Sequence, residues 1–353
     1  MKYKKYKYSR TIRVWLLIGL FMIIGQVILG GITRLTGSGL SITKWDVITG
    51  VVPPLNNAEW IYEFELYKET PQFHKINSAF TLQDFKFIYF WEYFHRLWVR
   101  ALGFIFLIPF IIFVFTKKID SYLMKRLGIV VLLTILTASA GWIMVKSGLI
   151  NRPWVNAYKL TLHFVLAVLV IAAMVRTVAD VYVVKSLKKV KSKSRKIVFW
   201  GLILTFIQLI VAGLISGMRA GLYYPTWPDM NGDIVPAVLL NFDNWSWKNM
   251  INYDSYLFAP ALIQFTHRLL AYIIMGYVFY MFMKLKHKIV GNSKKWMSLT
   301  ILLVLIQVTL GILTIINVKG KIPLFFGVTH QLVGMLFFIS FLFLYFSLRN
   351  KRV

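Results

Sequence analysis

Four histidines, one glutamate and a set of arginines sit inside or at the mouths of long apolar runs, and they are the residues with which this chain could do chemistry. The densest group is FWEYFHRLWVRALG at 90–103, which brings Glu92, His95 and Arg96 within about two helical turns. A partial copy, QFTHRLLAYIIMG at 264–276, carries His267 and Arg268. His163 stands in LTLHFVLA (160–167) and His330 in GVTHQLVG (327–334). The hydrocarbon core of a membrane penalises every ionisable group, so such residues in a membrane-length apolar run mark a site by default.

The donor types narrow the chemistry. The chain has no cysteine, which excludes disulfides, thiolate-held metals, iron–sulfur clusters and covalent haem attachment. Zinc or copper would want a third or fourth ligand close by, and each half of the chain supplies two histidines. A haem held between two axial histidines fits better, because the apolar surroundings enclose the macrocycle. Its propionates would need cations, for which Arg34, Arg96, Arg219 and Arg268 are candidates through the forked guanidinium. Snorkelling toward lipid headgroups accounts for any one of these arginines equally well. His74, in a loop, and His287, in a basic segment, read as solvated. Three residues before its histidine the first half has Glu92 where the second has Gln264. That spacing turns both side chains to the histidine's face, and a buried carboxylate can move a proton or stabilise a developing cation where an amide cannot.

Positioning these groups is the task of the remainder. Of 353 residues 58% are hydrophobic, well above a soluble domain. Eight runs are long enough to cross a bilayer: residues 14–32, 87–115, 127–145, 158–178, 197–216, 256–283, 296–317 and 324–348. The net charge of +28 suggests nucleic acid, but the Lys and Arg residues cluster in alternate segments between the runs, at the N-terminus, 116–126, 181–196, 284–295 and the tail. That pattern orients a chain in a membrane and places both termini in the cytoplasm, with no nucleic-acid partner. The start is basic and then apolar but has no small-residue cleavage site, so it reads as a retained first helix. No transit extension precedes it, which favours a bacterial plasma membrane. Two longer loops, 33–86 and 217–255, then lie outside. The second, dense in Trp, Tyr and Pro, reads as an ordered cap. The acids Asp46, Glu59 and Asp229 in these loops have no role assigned from sequence.

An internal repeat sets the expected architecture. GQVILGGITRLTGSGL (25–40) aligns with IQLIVAGLISGMRAGL (207–222), WEYFHRLWVRALG with IQFTHRLLAYIIMG, and LTLHFVLA with GVTHQLVG. The fold class is therefore an all-α integral membrane protein. Its eight transmembrane helices form two pseudo-symmetric four-helix bundles in parallel repeat, residues 1–190 and 191–353. The pairs Gln26/Gly30, Thr137/Gly141 and Gln307/Gly311, each four apart, read as helix packing.

At these residues the chain resembles the haem A synthase family over nearly its whole length. The carrying motifs are GGITRLTGSGLSITKW, VVPPLNNAEWIYEFELYKETPQF, FKFIYFWEYFHRLWVRALG, GLISGMRAGLYYPTWPDMNGDIVP, FTHRLLAY and VTHQLVG, and the first loop is similar to the cysteine-free mitochondrial and proteobacterial branch. The resemblance implies oxidation of the C8 methyl of haem O to the formyl of haem A, for cytochrome oxidase assembly. It also implies His95 and His163 as ligands of the substrate haem, His267 and His330 as ligands of haem b, and Glu92 as the catalytic acid. The combined reading passes through an alcohol and a hydrated aldehyde, and electrons leave through the second haem. Haem O synthase and an electron donor or acceptor are the expected partners, and a homo-oligomer is compatible with all of this. Two other readings explain the four histidines: a di-haem b-type electron-transfer protein linked to quinol, and a transporter of haem or another porphyrin.

Overall fold

A computed structural model describes residues 7–44, 49–150, 152–182 and 192–348. Asp46, parts of the N-terminal and 181–196 basic segments, and the tail lie outside the described residues. Among the described residues, eight helices are long and apolar enough to cross a membrane. They are α1 (Arg10–Leu35), α3 (Leu82–Phe115), α4 (Ser121–Ile150), α5 (Ala157–Tyr182), α6 (Ser192–Met218), α9 (Phe258–Leu285), α10 (Asn292–Ile316) and α11 (Leu324–Ser347), with the short α2 (Asn57–Lys68), α7 (Ala237–Leu240) and α8 (Trp247–Ile251) between them. Large apolar side chains such as Phe21, Phe104 and Phe279 stand exposed on the long helices, as suits a surface that meets lipid rather than water.

Several helices outrun the apolar stretches because polar caps extend them. Thr81 and Asp84 form a reciprocal capping box that starts α3 ahead of residue 87. Asp120 Oδ1 accepts from the Leu123 amide at 2.9 Å before α4, and Asn156 Oδ1 accepts from the amides of Tyr158 and Lys159 before α5. After α1, Gly37 takes a left-handed φ of 71° and the Ser38 amide reaches back to the Thr33 carbonyl at 2.9 Å, a glycine-terminated helix end. Pro109 lies inside α3, a position tolerated in membrane helices.

Packing divides the described residues into two compact units, one of residues 18–167 and one of the rest. In the second, α6 packs on α9, α9 on α10, α10 on α11 and α11 back on α6, closing a ring of four helices. Its core includes Val198, Ile274, Met281, Val304 and Phe341. The 217–255 loop is ordered there around Tyr224, Met230, Leu239 and Phe258.

In the first unit, α1 is tied to α3 by Trp98 Nε1, which donates to the Met22 carbonyl at 2.9 Å, and by the close approach of Gly25 to the Trp98 ring. The 33–86 loop folds over α2, with Phe64, Tyr67, Phe85, Ile88 and Tyr89 in a shared aromatic core. The Tyr67 hydroxyl donates to Gln72 Oε1 and accepts from Asn77 Nδ2. Burial pushes its pKa up to about 12.

Candidate functional site

Each of the four membrane histidines belongs to one of four long helices, α3, α5, α9 and α11, and none is fully exposed. Two are seated in the same way. His163 Nδ1 is 2.8 Å from the Thr137 carbonyl of α4, and a Cβ on Gly141 would come within 2.9 Å of its Cε1. His330 Nδ1 is 3.1 Å from the Gln307 carbonyl of α10, and a Cβ on Gly311 would come within 3.0 Å of its Cε1. A carbonyl can only accept, so Nδ1 carries the proton in both rings and Nε2 keeps the lone pair that binds a metal; in His330 that lone pair lies 3.3 Å from the Gln307 side-chain nitrogen. The glycine lets the imidazole lie flat against the neighbouring helix, and the residue one turn earlier orients it. Fixing the remote nitrogen in this way is how proteins orient a ligand histidine.

The other two rings are seated by glutamine side chains. His95 lies near Gly30 of α1, whose added Cβ would stand 3.3 Å from Cε1. The Gln26 amide nitrogen is 3.0 Å from His95 Nε2, 3.3 Å from Nδ1 and 3.3 Å from the His95 carbonyl. Gln208 of α6 donates to the His267 carbonyl at 3.0 Å, and His267 Nδ1 is buried without a hydrogen-bond partner. The His267 and His330 rings face one another with centres 6.4 Å apart and planes inclined by 65°. A metal bonded at about 2 Å to one nitrogen of each ring separates ring centres by roughly 6 Å. No group of three or more His, Cys, Asp or Glu capable of holding a metal occurs among the described residues. Two axial nitrogens without a third protein donor suit a haem, whose macrocycle supplies the equatorial ligands.

Spacing puts Glu92 on the His95 face of α3, but the structure turns its carboxylate to the loop that follows α1. Oε2 accepts from the Ser41 amide at 2.7 Å, the Ser41 hydroxyl at 2.8 Å and the Ile42 amide at 2.9 Å. Oε1 accepts from Arg96 Nη2 at 2.7 Å. The carboxylate is 3% exposed, so these four donors compensate a buried acceptor. Gln264 is equally buried and makes the complementary contact, its amide donating to the Tyr224 carbonyl at 2.8 Å.

The arginines are engaged in parallel fashion. Arg96 donates to the carbonyls of Ile42 and Lys44, and Arg268 donates to those of Tyr224, Thr226 and Asp229. In the alignment of 25–40 with 207–222 carried forward, Ile42 corresponds to Tyr224 and Lys44 to Thr226. Arg34 closes the last turn of α1. Arg219 follows α6 with a left-handed φ of 55°, at the position that corresponds to Gly37.

His74 and His287 are exposed, as expected of solvated side chains. Glu59 accepts from the Leu55 amide and Asn56 at the start of α2, which gives it a folding role. Hydrogen bonds from Thr226 and Gly232 hold the Asp229 carboxyl below its usual range. In the sequence Gln26, Thr137 and Gln307 read as packing positions, and Gln208, aligned with Gln26, carries no role. The signal available was their common offset, four residues before a small residue, opposite a histidine.

The family described as Cytochrome oxidase assembly protein matches residues 13–342. The chain is 36% identical over 335 residues to a protein of Flavobacterium psychrophilum named Heme A synthase, covering 94% of this chain and 96% of that one. It is 35% identical over 352 residues to the Heme A synthase of Nitrosospira multiformis, 99% of this chain and 96% of the other. With the Heme A synthase of Mesorhizobium japonicum the identity is 36% over 321 residues, 91% and 85% of the two chains.

Proposed function

The chain belongs to the cytochrome oxidase assembly family that its relatives named Heme A synthase share, and from that premise we propose that it is a haem A synthase, an oxidoreductase that converts the C8 methyl of haem O to a formyl group. The match to these synthases along nearly the whole chain carries the reading.

In this reading haem O is the substrate of the first half, held by His95 and His163, and haem b is resident in the second, held by His267 and His330. The seating of His163 and His330, each with Nδ1 on the carbonyl of a neighbouring helix, supports both assignments. A haem b at the second pair supplies one-electron chemistry. Glu92 acts on the methyl as a base or as a counter-charge. Its present partners are Ser41, Ile42 and Arg96. Arg34, Arg96, Arg219 and Arg268 offer guanidinium donors to the propionates. Arg96 and Arg268 do so while clamping their loops.

The parallel contacts of Gln26 and Gln208, of Arg96 and Arg268, and of Thr137 and Gln307 support two four-helix bundles in repeat, residues 1–190 and 191–353. Eight membrane-length helices make this a multi-pass membrane protein. The alternation of basic segments supports both termini being cytoplasmic, and the bacterial relatives support a plasma membrane. Haem O synthase as supplier and an external electron acceptor complete the set of partners.

The test is a chromatogram of haems extracted after expression beside a haem O source. Wild type should yield hydroxylated and formylated haem, and Glu92→Ala should retain haem O without forming haem A. Unmodified haem alone from wild type would favour a plain di-haem cytochrome, and normal haem A from the variant would remove Glu92 from the chemistry.

A further inference from the structure

We propose that Gln26 and Gln208 are positioning residues, each offering its side-chain carbonyl oxygen to the Nδ1–H of the histidine it faces, His95 and His267, and so setting the donor strength of one imidazole in each pair. The inference rests on the reading of the four histidines as haem ligands.

Within each pair the two rings are held differently. His163 and His330 rest Nδ1 on main-chain carbonyls, partners that no substitution removes, and the Gln307 side chain meets His330 only at Nε2, 3.3 Å away. His267 Nδ1 is buried without a partner, and so is Oε1 of both Gln208 and Gln26. Both glutamines already touch their histidine, Gln208 through the His267 carbonyl at 3.0 Å and Gln26 through both ring nitrogens. A buried donor without an acceptor therefore stands on the same pair of side chains as a buried acceptor without a donor. Exchange of amide oxygen and nitrogen by a half-turn of the terminal torsion leaves the shape unchanged. In Gln26 that half-turn brings the acceptor near the place now 3.3 Å from His95 Nδ1 and 3.0 Å from Nε2, within reach of whichever ring nitrogen carries the proton.

Metal ligation supplies the reason for the half-turn. With Nε2 bonded to iron, a neutral imidazole keeps its one proton on Nδ1, and that buried proton needs an acceptor. An acceptor there raises the basicity of the ring and favours the oxidised metal. Each pair then has one ligand fixed by the backbone and one tuned by a side chain.

The full-length protein, purified with its haem, tests this through the midpoint potential and the electron paramagnetic resonance spectrum of the low-spin haem. Gln208→Leu removes the acceptor and should raise the potential, with haem retention about 10- to 100-fold weaker. Gln208→Glu provides a stronger acceptor and should lower the potential. A role in packing alone would not produce displacements of opposite sign. An unchanged potential in both variants, or displacement in one direction, overturns the proposal. If the Leu variant does not accumulate, the Glu variant decides, with an unmoved potential overturning the proposal. Wild-type protein that purifies without a low-spin haem would overturn the haem reading itself, a separate and visible outcome. Matching Gln26 variants should alter the spectrum of haem O added to the first half and leave the potential of the second unmoved.

Discussion

Two loops are docked onto two helices by the same pair of positions and with opposite polarity. In residues 18–167 the loop after α1 presents amide donors, and Glu92 accepts them. In the other unit the loop after α6 presents the Tyr224 carbonyl, and Gln264 donates to it. The arginine one turn later holds loop carbonyls in both cases. A carboxylate at this position is therefore a structural part as well as a candidate reagent. Its double engagement shows why an amide serves where only docking is needed.

Exchanging the anchors should break this parallel most strongly. Glu92→Ala leaves Arg96 without its carboxylate, the Ile42 amide without its acceptor and the Ser41 amide with only the Ser38 carbonyl, a loss of about 3–5 kcal/mol. Gln264→Ala removes a single neutral donor and should cost only about 1–3 kcal/mol. Thermal unfolding of both variants in detergent checks the ordering, and equal losses would mean that the two loops are anchored by something other than these side chains.

Crowding the histidine seats gives a smaller, graded effect. Gly141→Ala and Gly311→Ala would place a methyl 2.9 and 3.0 Å from an imidazole carbon, and Gly30→Ala one 3.3 Å away. Overpacking of this kind costs about 1–3 kcal/mol. Haem content per polypeptide should fall least for Gly30→Ala, and a flat series would argue that the rings shift freely.

The smallest effect expected is an alkaline one confined to the 33–86 loop. Tyr67, raised to about 12 by burial, ionises in the unfolded chain near 10. Its contribution is complete below pH 10 and is lost as pH rises through 12. Tyr67→Phe should flatten the decline in stability over that interval, while the unit holding α9 shows no corresponding change.

Much of this was legible in the residues. Eight apolar runs of membrane length, basic segments at alternate loops and four histidines in repeated contexts needed only composition and spacing. The seats did not come out that way. Gln26, Thr137 and Gln307 look like helix-packing positions in a one-dimensional pattern, because which nitrogen of which ring they orient is decided by the neighbouring helix. Glu92 was legible as an unusual buried acid, but its partners Ser41 and Ile42 lie 51 and 50 residues away. Loop geometry, rather than helical period, chose them. The helix ends ran past the apolar stretches for a local reason, since Thr81, Asp120 and Asn156 cap beyond the hydrophobic run.

The grip of Glu92 on Ile42 also makes one loop amide proton into a clock, whereas the Ser41 amide keeps the Ser38 carbonyl as a second acceptor. While the carboxylate holds the Ile42 proton it exchanges with solvent deuterium slowly, and it is released when the carboxylate lets go. Deuterium uptake by a peptide spanning residues 38–44 thus counts how often Glu92 swings free, with and without haem O present. The same measurement on the segment around Tyr224 has no such gate, because there the loop contributes an oxygen and no proton.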